Sequence, residues 1–278
     1  MKPDAIEIGT SGWKFDDWAG TFYPLRVPKS RWLEYYAARF SVGELNSSYY
    51  RIPSARSMEA IAKRTPKEFK LFVKVHADVT HQRTNPERSL KELAESACPV
   101  RETGKLLGFL AQFPASFKQS ADHVDYVMRL TEMTGDVRLC VEFRDQSWED
   151  AGVLEECRGR GVTWVTPDEP HLPNLMDPKL RATSDILYLR LHGRNDRNWY
   201  HAEHGDRYDY NYTEQEILQW AWQLLKFEST DVKRAYLFFN NCHVGQAANN
   251  AWWLKQWIEA KRSAAERSRT DDFNLSSS

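Results

Sequence analysis

Apolar and polar residues alternate with a period of two in short segments along the chain, and longer segments with helical spacing separate them. Such alternation is typical of β-strands that bury one face. It predicts eight strands, at Ile6–Ser11, Val42–Ser48, Lys70–Val75, Lys105–Phe113, Val137–Phe143, Gly161–Thr166, Ile186–His192 and Arg234–Asn241. The helical spacing predicts seven helices, at Lys29–Phe40, Ser54–Lys63, Pro86–Ser96, Ser120–Met133, Asp150–Arg158, Thr213–Phe227 and Gly245–Arg262.

Strands that alternate with helices predict parallel pairing through helical crossovers. Eight such units in one chain predict an α/β protein whose sheet closes into a (β/α)8 TIM barrel, as a single domain over residues 1–262. The segment Asp168–Ser184, between the sixth and seventh strands, is rich in proline and has no clear helical pattern. Residues 263–278 are polar, and we expect a disordered C-terminal tail there.

The segment LYLRLHG, residues 187–193, raises the question of where charged side chains point inside a core. Read as a strand, it places three leucines on one face and Tyr188, Arg190 and His192 on the other. In a barrel, one face of each strand meets the helices and the other meets the lumen. We therefore expect Arg190 and His192 to lie in the lumen, near the C-terminal ends of the strands where barrel enzymes place their sites.

Other strands carry polar residues at matching positions, which predicts one shared site. The third strand places Lys74 and His76 on its lumen parity, and the fifth strand places Glu142 and Arg144 there. Further polar side chains follow near the ends of the remaining strands: Ser11, Glu44, Asn46, Ser48, Gln112, Asn240 and Asn241. Their recurrence predicts a charged cluster at the barrel mouth.

Composition limits the partners and the location. The chain has 278 residues, a net charge of -1 and a pI near 6.7, so no bulk attraction to nucleic acid or membranes is expected. Its four cysteines are far apart, the N-terminus has no apolar signal-peptide core, and no run of about 18 apolar residues occurs. We expect a cytoplasmic protein without a membrane partner. The sequence does not predict an oligomeric state.

Buried charges at the mouth must be paired or have shifted pKa values. Pairing of Glu142 with Lys74 or Arg190 would make the cluster a structural ion-pair layer without chemistry. The alternative is a pocket with surplus positive charge that suits a carboxylate, phosphate or polyhydroxylated ligand. In that case we expect Glu142 to act as general base, and Lys74 or His192 as acid or electrostatic stabiliser.

Two loops offer further binding groups. The segment NNCHVGQAANNA follows the eighth strand, and Gly245 opens a helix there, which suits either a phosphate site or a tight turn. The loop after the seventh strand is long and holds Arg194, Arg197, Trp199 and Tyr200. These side chains can clamp an anion and stack on a ring, or they can pack as a surface flap.

No cofactor and no metal ligands are predicted. The eight histidines show no HxH or HExxH spacing. A divalent metal at the mouth is the alternative, with ligands drawn from His76, His81, Glu142, Asp168, His192 and His243. Arginine and lysine beside those groups would oppose a cation.

Six motifs together resemble one known family. They are TSGWKFDDWAGTFYP, ELNSSYYRIPS, FVKVHADVTH, VEFRDQSW, LRLHG and FFNNCHVGQAANNA, in that order from residue 10 to residue 251. They resemble the family called domain of unknown function 72, or YecE-like, over residues 6–258. The resemblance implies a TIM barrel loosely related to sugar isomerases, and it assigns no reaction. The strand-four segment QFPASF departs from the family pattern but keeps Gln112.

The resemblance carries shared residues onto this chain: Ser11, Gly12, Trp13, Asn46, Tyr49, Lys74, Thr80, His81, Glu142, Arg144, Arg190, His192, Gly193, Asn240 and Asn241. The residues from the resemblance, the strand ends and the two loops together form the predicted site. Its catalytic residues are Glu142, Lys74 and His192. Its substrate-binding residues are Ser11, Trp13, Asn46, Tyr49, His76, His81, Arg144, Arg190, Arg194, Trp199, Asn240, Asn241 and Gly245.

Three functional hypotheses follow. The first is an enzyme, of sugar-isomerase, hydrolase or lyase type, that uses acid–base chemistry on a small polar or anionic substrate such as a sugar, sugar phosphate or carboxylate. The second is a nucleic-acid-acting or nucleic-acid-binding barrel similar to barrel endonucleases, in which the long loop after the seventh β-strand contacts the nucleic acid. The third is a non-catalytic binding module whose lumen charges are structural.

Overall fold

The computed structural model describes residues 1–200 and 206–276 of the chain. Eight parallel strands form one sheet, in the order β1-β8-β7-β6-β5-β4-β3-β2. The strands are β1 Ile6–Thr10, β2 Val42–Leu45, β3 Lys70–Lys74, β4 Leu106–Gln112, β5 Leu139–Glu142, β6 Thr163–Asp168, β7 Ile186–Leu191 and β8 Arg234–Phe239. This is the predicted single-domain (β/α)8 barrel, nearly closed, with helices between its strands.

Seven α-helices are present in the described part of the chain. They are α1 Trp32–Ala37, α2 Ala55–Arg64, α3 Pro86–Glu102, α4 Ala121–Thr134, α5 Ala151–Gly159, α6 Glu214–Lys226 and α7 Gln246–Ser276. Helix α6 begins at the predicted capping box, in which Thr213 and Glu216 cap each other's backbone N–H groups. The β6–β7 connection contains no helix, in line with the missing helical pattern in its sequence.

Helix α7 is longer than predicted. Helical backbone continues to Ser276, whereas the sequence pattern ends the helix at Arg262 and places a polar tail after it. Helix-forming Ala, Glu and Arg residues follow Arg262, and their local propensity favours continuation of the helix. The disorder expected for residues 263–278 stays a prediction, and residues 277 and 278 lie outside the described part.

Strand β6 is shifted by two residues from its predicted position at Gly161–Thr166. Gly161 adopts a φ of 67°, a left-handed conformation that glycine tolerates, so it turns the chain after α5 and cannot start the strand. The backbone N–H of Val162 still bonds to the Cys157 carbonyl oxygen over 2.8 Å. The strand therefore ends at Asp168, which brings Glu169 to the mouth of the barrel.

The lumen is filled in two layers. The lower layer is apolar: Val42, Phe72, Leu110, Cys140, Val165, Ile186, Tyr188, Tyr236 and Phe238. On six of these strands, the same parity places a polar side chain above this layer, two residues after its last apolar lumen residue: Glu44, Lys74, Gln112, Glu142, Arg190 and Asn240. Leu187, Leu189 and Leu191 belong to the core between strands and helices, so the alternation predicted for LYLRLHG is confirmed. Layered filling of this kind is usual in TIM barrels.

The barrel seam lies between β1 and β2, where the sheet order has its two ends. The Tyr36 hydroxyl bridges this seam: it accepts a hydrogen bond from the Thr10 backbone N–H over 2.9 Å and donates one to the Val42 carbonyl oxygen over 3.0 Å. Gly9 lies so close to β2 that a Cβ atom would stand 2.4 Å from the Val42 oxygen. Tyr36 and Gly9 thus allow β1 and β2 to lie close together at the seam, where the two strands do not pair directly.

No helix in the described ranges is long and apolar enough to cross a membrane. The four cysteines are free thiols, and Cys140 and Cys157 are buried. The cytoplasmic location stays a prediction.

Candidate active site at the barrel mouth

Arg190, on β7, lies at the centre of the polar layer and is 2% exposed. Its Nε and Nη2 atoms each lie 2.9 Å from an oxygen of Glu44, a two-point ion pair across the lumen. Its Nη1 donates to Glu142 Oε2 over 2.8 Å. Tyr188 and Ser11 complete its surroundings, because the Tyr188 hydroxyl donates to Glu44 over 2.7 Å and Arg190 donates to Ser11 over 3.3 Å.

Glu142, on β5, contacts two arginines and a histidine. Arg144 Nε lies 2.7 Å from Oε1, and His192 Nε2 lies 3.1 Å from the same oxygen. Burial alone would raise the pKa of this carboxyl, but Arg144, Arg190 and His192 outweigh burial and hold the pKa well below its usual range. Glu142 is therefore a permanent anion that neutralises two arginines.

His192 lies beside Glu142 and is fully buried. Asn240 Nδ2 lies 2.8 Å from its Nδ1. Burial, with help from Arg144, lowers the pKa of His192 to about 3. The imidazole is thus neutral at physiological pH, and the amide contact orients it.

Lys74, at the end of β3, is the cation of this layer that has no carboxylate partner among the described residues. Its Nζ donates to Gln112 Oε1 over 2.8 Å and stands 4.5 Å from the ring centre of Tyr49. Burial, reinforced by the nearby positive charge of Arg190, lowers the pKa of Lys74 to about 7. Near neutral pH this amine can therefore exist with or without its proton.

Glu169 follows β6 and is the second group that titrates near neutrality. Its Oε2 accepts a 2.6 Å hydrogen bond from Arg144 Nη1, and its Oε1 is buried without a hydrogen-bond partner. Burial raises the pKa of Glu169 to about 7, against the opposing attraction of Arg144. A carboxyl that holds a proton near pH 7 is suited to act as a general acid.

A cavity of about 710 Å³ opens above the polar layer. Both Lys74 and Glu169 line it, and Arg144 and Arg190 form its floor. Lys14 and Arg207 add two cations to its wall, and neither forms an ion pair with a carboxylate in the described part of the chain. Positive charge therefore exceeds negative charge at the cavity wall.

Aromatic rings form much of the remaining wall. Trp199 is buried between two guanidinium groups, with Arg144 5.8 Å and Arg207 5.3 Å from its ring centre. Further rings line the cavity: Trp13, Phe15, Tyr49, Tyr50, Tyr200 and Tyr208. A mostly apolar wall with a few polar groups is common in small-molecule sites.

The structure brings most of the predicted site residues together around this cavity: Ser11, Trp13, Asn46, Tyr49, Lys74, His81, Arg144, Arg190, Trp199 and Asn240. Glu142 and His192 lie beneath the floor and do not line it. Their predicted roles as base and acid stay predictions that this geometry does not favour. Lys74 is the predicted catalytic residue with access to the cavity.

Four predicted binding residues lie away from the cavity wall. His76 faces Asp78, 3.4 Å away. Arg194 is ion-paired with Asp168 at 2.9 Å and with Glu216 at 3.3 Å, so its charge is compensated outside the lumen. Asn241 is buried, where its amide donates to the Tyr210 carbonyl and to Asn250.

Gly245 is the fourth of these residues. It adopts a φ of 80°, and a Cβ atom there would lie 2.5 Å from Thr21 Oγ1, so the turn needs glycine for conformation and packing. The neighbouring Val244 N–H donates to Asp17 Oδ2 over 2.7 Å. A carboxylate therefore already occupies the donor that a bound phosphate would use.

His81 lines the cavity as predicted, with its ring 5.0 Å from Tyr49. Its Nδ1 lies 2.9 Å from the Thr80 hydroxyl. Burial and the charge of Lys74 lower the pKa of His81 to about 4, so the ring is neutral at pH 7. A neutral imidazole can accept or donate one hydrogen bond to a ligand.

The suggested metal ligands are not gathered in one place. Across residues 1–200 and 206–276, no three His, Cys, Asp or Glu side chains are grouped so that they could hold a metal ion. Glu142 is committed to Arg144 and Arg190, and Asp168 to Arg194. The site is thus built from arginine–carboxylate pairs.

Sequence reasoning missed Lys14, Glu169 and Arg207 as site residues. Glu169 was missed because the predicted sixth strand ended two residues early, at Thr166. The pair of acids directly after that strand, Asp168 and Glu169, was the available signal. Arg207 lies in the long loop after β7, where no periodic pattern indicates which side chains turn inward.

Fold and site together define a (β/α)8 barrel with a charged small-molecule cavity at its C-terminal mouth. The chain belongs to the family described as "Protein of unknown function DUF72", whose profile matches residues 7–272. The resemblance found in the motifs is thereby confirmed.

Several known proteins are similar to this chain over most of its length and most of theirs. The UPF0759 protein YunF of Bacillus subtilis (strain 168) is 30% identical over 285 residues, which cover 96% of this chain and 100% of that protein. A DUF72 family protein of Thermotoga maritima MSB8 has a similar structure, with a TM-score of 0.84 and 39% identity over 91% of this chain and 99% of that one. A second, from Enterococcus faecalis V583, has a TM-score of 0.80 and 26% identity, covering 93% and 95%.

Proposed function

We propose that the protein is an enzyme that binds a small, polar, anionic substrate in the mouth cavity and transfers protons with Lys74 and Glu169. The observation that carries the proposal is the contrast between the floor and the wall of the cavity. In the floor, Arg144 and Arg190 are neutralised by Glu142 and Glu44. In the wall, Lys74 meets an amide and a ring instead.

The surplus charge favours an anionic substrate. Lys14 and Arg207 stand at the cavity without carboxylate partners within the described residues, so a carboxylate or phosphate can supply the missing negative charge. Asn46, Gln112 and Asn240 add amide groups that suit hydroxyl groups of a sugar or hydroxy acid.

Lys74 and Glu169 supply the acid–base chemistry. Each has a pKa of about 7, one lowered and the other raised by burial, so a proton can move to or from either group near neutral pH. Two titratable groups whose environments move their pKa values in opposite directions are a common arrangement in active sites. In this proposal Glu142 is not the general base. It has a structural role in the ion-pair layer, which was the alternative hypothesis for the charged cluster.

The nucleic-acid hypothesis receives less support from the same contacts. Two of the loop residues expected to contact nucleic acid are Arg194 and Trp199. Arg194 is ion-paired and Trp199 is 3% exposed, so neither side chain is available for phosphate or base contacts. A cavity of about 710 Å³ also suits a small molecule better than a polymer.

A ligand panel tests the proposal. We expect sugar phosphates, hydroxy acids or oxo acids to raise the melting temperature of the wild-type protein, and Arg207→Gln to weaken that shift. Arg197→Gln is the matched control, because Arg197 lies in the same loop, is exposed and does not line the cavity. If no anion stabilises the wild-type protein, or if both variants respond alike, the proposed anion site is wrong.

A further inference from the structure

Lys74 and Lys105 both carry amine groups in sheltered positions, and the surroundings of the two amines differ. Lys105 is 4% exposed, and its Nζ donates to Ala62 O over 2.6 Å, Thr65 O over 2.8 Å and Thr65 Oγ1 over 3.0 Å. All three donor positions are used to hold the end of α2. This lysine has a structural role, and its amine has no donor position left for a ligand.

Lys74 has the opposite arrangement. Its Nζ makes one hydrogen bond, to Gln112, and the Tyr49 ring covers it from one side. The side chain lines the cavity, so a ligand can reach the amine. Arg190 and Arg144 disfavour a further positive charge there, whereas the ring contact favours it. Burial and nearby cations favour the neutral form of a lysine amine. When such an amine is accessible, it is a nucleophile near neutral pH.

We propose that Lys74 Nζ forms a Schiff base with the carbonyl carbon of an aldehyde or ketone substrate that also carries a carboxylate or phosphate. This inference rests on the proposed function, since it names the substrate class and the chemistry of the same cavity. The anionic group is held by Arg207 and Lys14, on the cavity wall.

The chemistry balances without an oxidant or reductant. The lone pair of the neutral Lys74 amine forms the C–N bond, and the carbonyl π electrons move to oxygen, which takes a proton from Glu169. The nitrogen then releases a proton to Glu169, which returns it to the hydroxyl group. The C–O bond breaks, water leaves, and the C=N bond forms with the nitrogen carrying its remaining proton. The resulting iminium withdraws electrons from the neighbouring carbon, which promotes proton loss or C–C cleavage there.

Reductive trapping tests the inference on the wild-type chain. The protein is incubated at pH 7 with sodium cyanoborohydride and one of two matched pairs of carbonyl compounds: acetone and pyruvate, or dihydroxyacetone and its phosphate. Peptide mass spectrometry measures the rate of alkylation at each lysine. A lysine with the ordinary pKa of about 10.4 is unprotonated to roughly one part in 2,500 at pH 7, against roughly half for a pKa of 7. We expect Lys74 to react at least roughly tenfold faster than the exposed lysines Lys67 and Lys91, which lie outside the cavity wall.

Lys105 and Lys74→Arg are the controls. Lys105 is buried and fully hydrogen-bonded, so we expect no adduct there, and the arginine variant should lose the Lys74 adduct while retaining its circular dichroism spectrum. Alkylation of Lys74 at the same rate as the surface lysines, or slower, would overturn the Schiff-base inference.

The matched carbonyls separate this inference from the proposed function. Faster labelling of Lys74 by pyruvate and dihydroxyacetone phosphate than by their neutral counterparts supports both. Equal labelling by neutral and anionic compounds keeps the imine chemistry and overturns the anionic substrate class. Thermal stabilisation by the anionic compounds without a Lys74 adduct keeps the anion site and overturns the Schiff base. Pyruvate and the phosphate also show which anionic group the cavity prefers.

Discussion

Arg190 reaches across the barrel lumen from β7 and holds both carboxylate oxygens of Glu44 on β2, each at 2.9 Å. The same guanidinium contacts Glu142, which in turn contacts Arg144. These pairs join β2, β5 and β7 through one connected network above the apolar layer. Removing one member of such a network leaves a buried charge without compensation, and that is more harmful than removing the whole set.

Glu142→Gln is expected to destabilise the fold. The neutral amide has nearly the same shape but leaves Arg144 and Arg190 with excess positive charge, which we expect to cost about 3–5 kcal/mol in the free energy of unfolding. Urea denaturation measures it. Glu155→Gln is the matched control, because its ion pair with Arg158 is exposed and the substitution should cost less than about 1 kcal/mol. A Glu142→Gln protein of wild-type stability that binds ligand but has lost turnover would instead support Glu142 as the general base.

Lys74→Met is expected to change the pH dependence of stability. The folded pKa of about 7 lies below the unfolded value of about 10.4, so between these values the unfolded chain binds a proton that the folded chain lacks. The wild-type protein therefore gains up to about 1.4 kcal/mol per pH unit over this window, and the variant gains none from this position. The variant's relative stability is greatest below pH 7 and declines towards pH 10.

Urea unfolding of both proteins at intervals from pH 6 to pH 10 measures this difference. Lys63→Met serves as the control, since Lys63 is exposed on α2 and the substitution removes no buried amine. Parallel stability curves for wild type and Lys74→Met would show that burial does not lower the Lys74 pKa.

Glu169→Gln is expected to show the opposite slope at lower pH. The folded pKa of about 7 lies above the unfolded value of about 4.3, so between these values the folded chain holds a proton that the unfolded chain has released. The contribution of Glu169 to the free energy of unfolding of the wild-type protein is fully present below about pH 4 and is lost as the pH rises to 7. The variant, which does not titrate, should gain on the wild type by up to about 1.4 kcal/mol per pH unit over that range. Thermal unfolding from pH 4.5 to pH 7.5 checks the slope, and a constant difference between the proteins would contradict it.

The sequence predicted the parts of this structure that follow from periodicity. Leu189 and Arg190 occupy opposite faces because successive strand residues must, and eight strands alternating with helices have few other ways to bury themselves. The polar residues two positions beyond the apolar lumen layer, such as Lys74 after Phe72, are visible in the printed sequence for the same reason.

The partners of those residues could not be predicted in the same way. Alternation places Glu142 in the lumen, but whether it meets Lys74 or Arg190 depends on side-chain rotamers and on the stagger between strands that are far apart in the chain. Glu142 in fact meets Arg144 and Arg190, which leaves Lys74 to Gln112. A two-residue error in one strand was enough to hide Glu169.

Tyr36 provides a prediction about the barrel seam. Its hydroxyl joins the Thr10 N–H to the Val42 carbonyl oxygen, and it is fully buried, so water does not replace it readily. Tyr36→Phe leaves a buried donor and a buried acceptor unsatisfied, which we expect to cost about 2–4 kcal/mol in the free energy of unfolding. Tyr50→Phe, at a tyrosine that is 81% exposed, should change stability by less than about 0.5 kcal/mol.

Hydrogen exchange of the Thr10 amide localises the effect. If the Tyr36 hydroxyl is what closes the seam, Tyr36→Phe should accelerate exchange at Thr10 by at least roughly tenfold relative to the Val75 amide, which bonds to the Leu110 carbonyl oxygen within the β3–β4 ladder. Equal acceleration at both amides would mean that the substitution lowers global stability without opening the seam. Unchanged exchange at Thr10 would mean that β1 and β2 stay together without the hydroxyl.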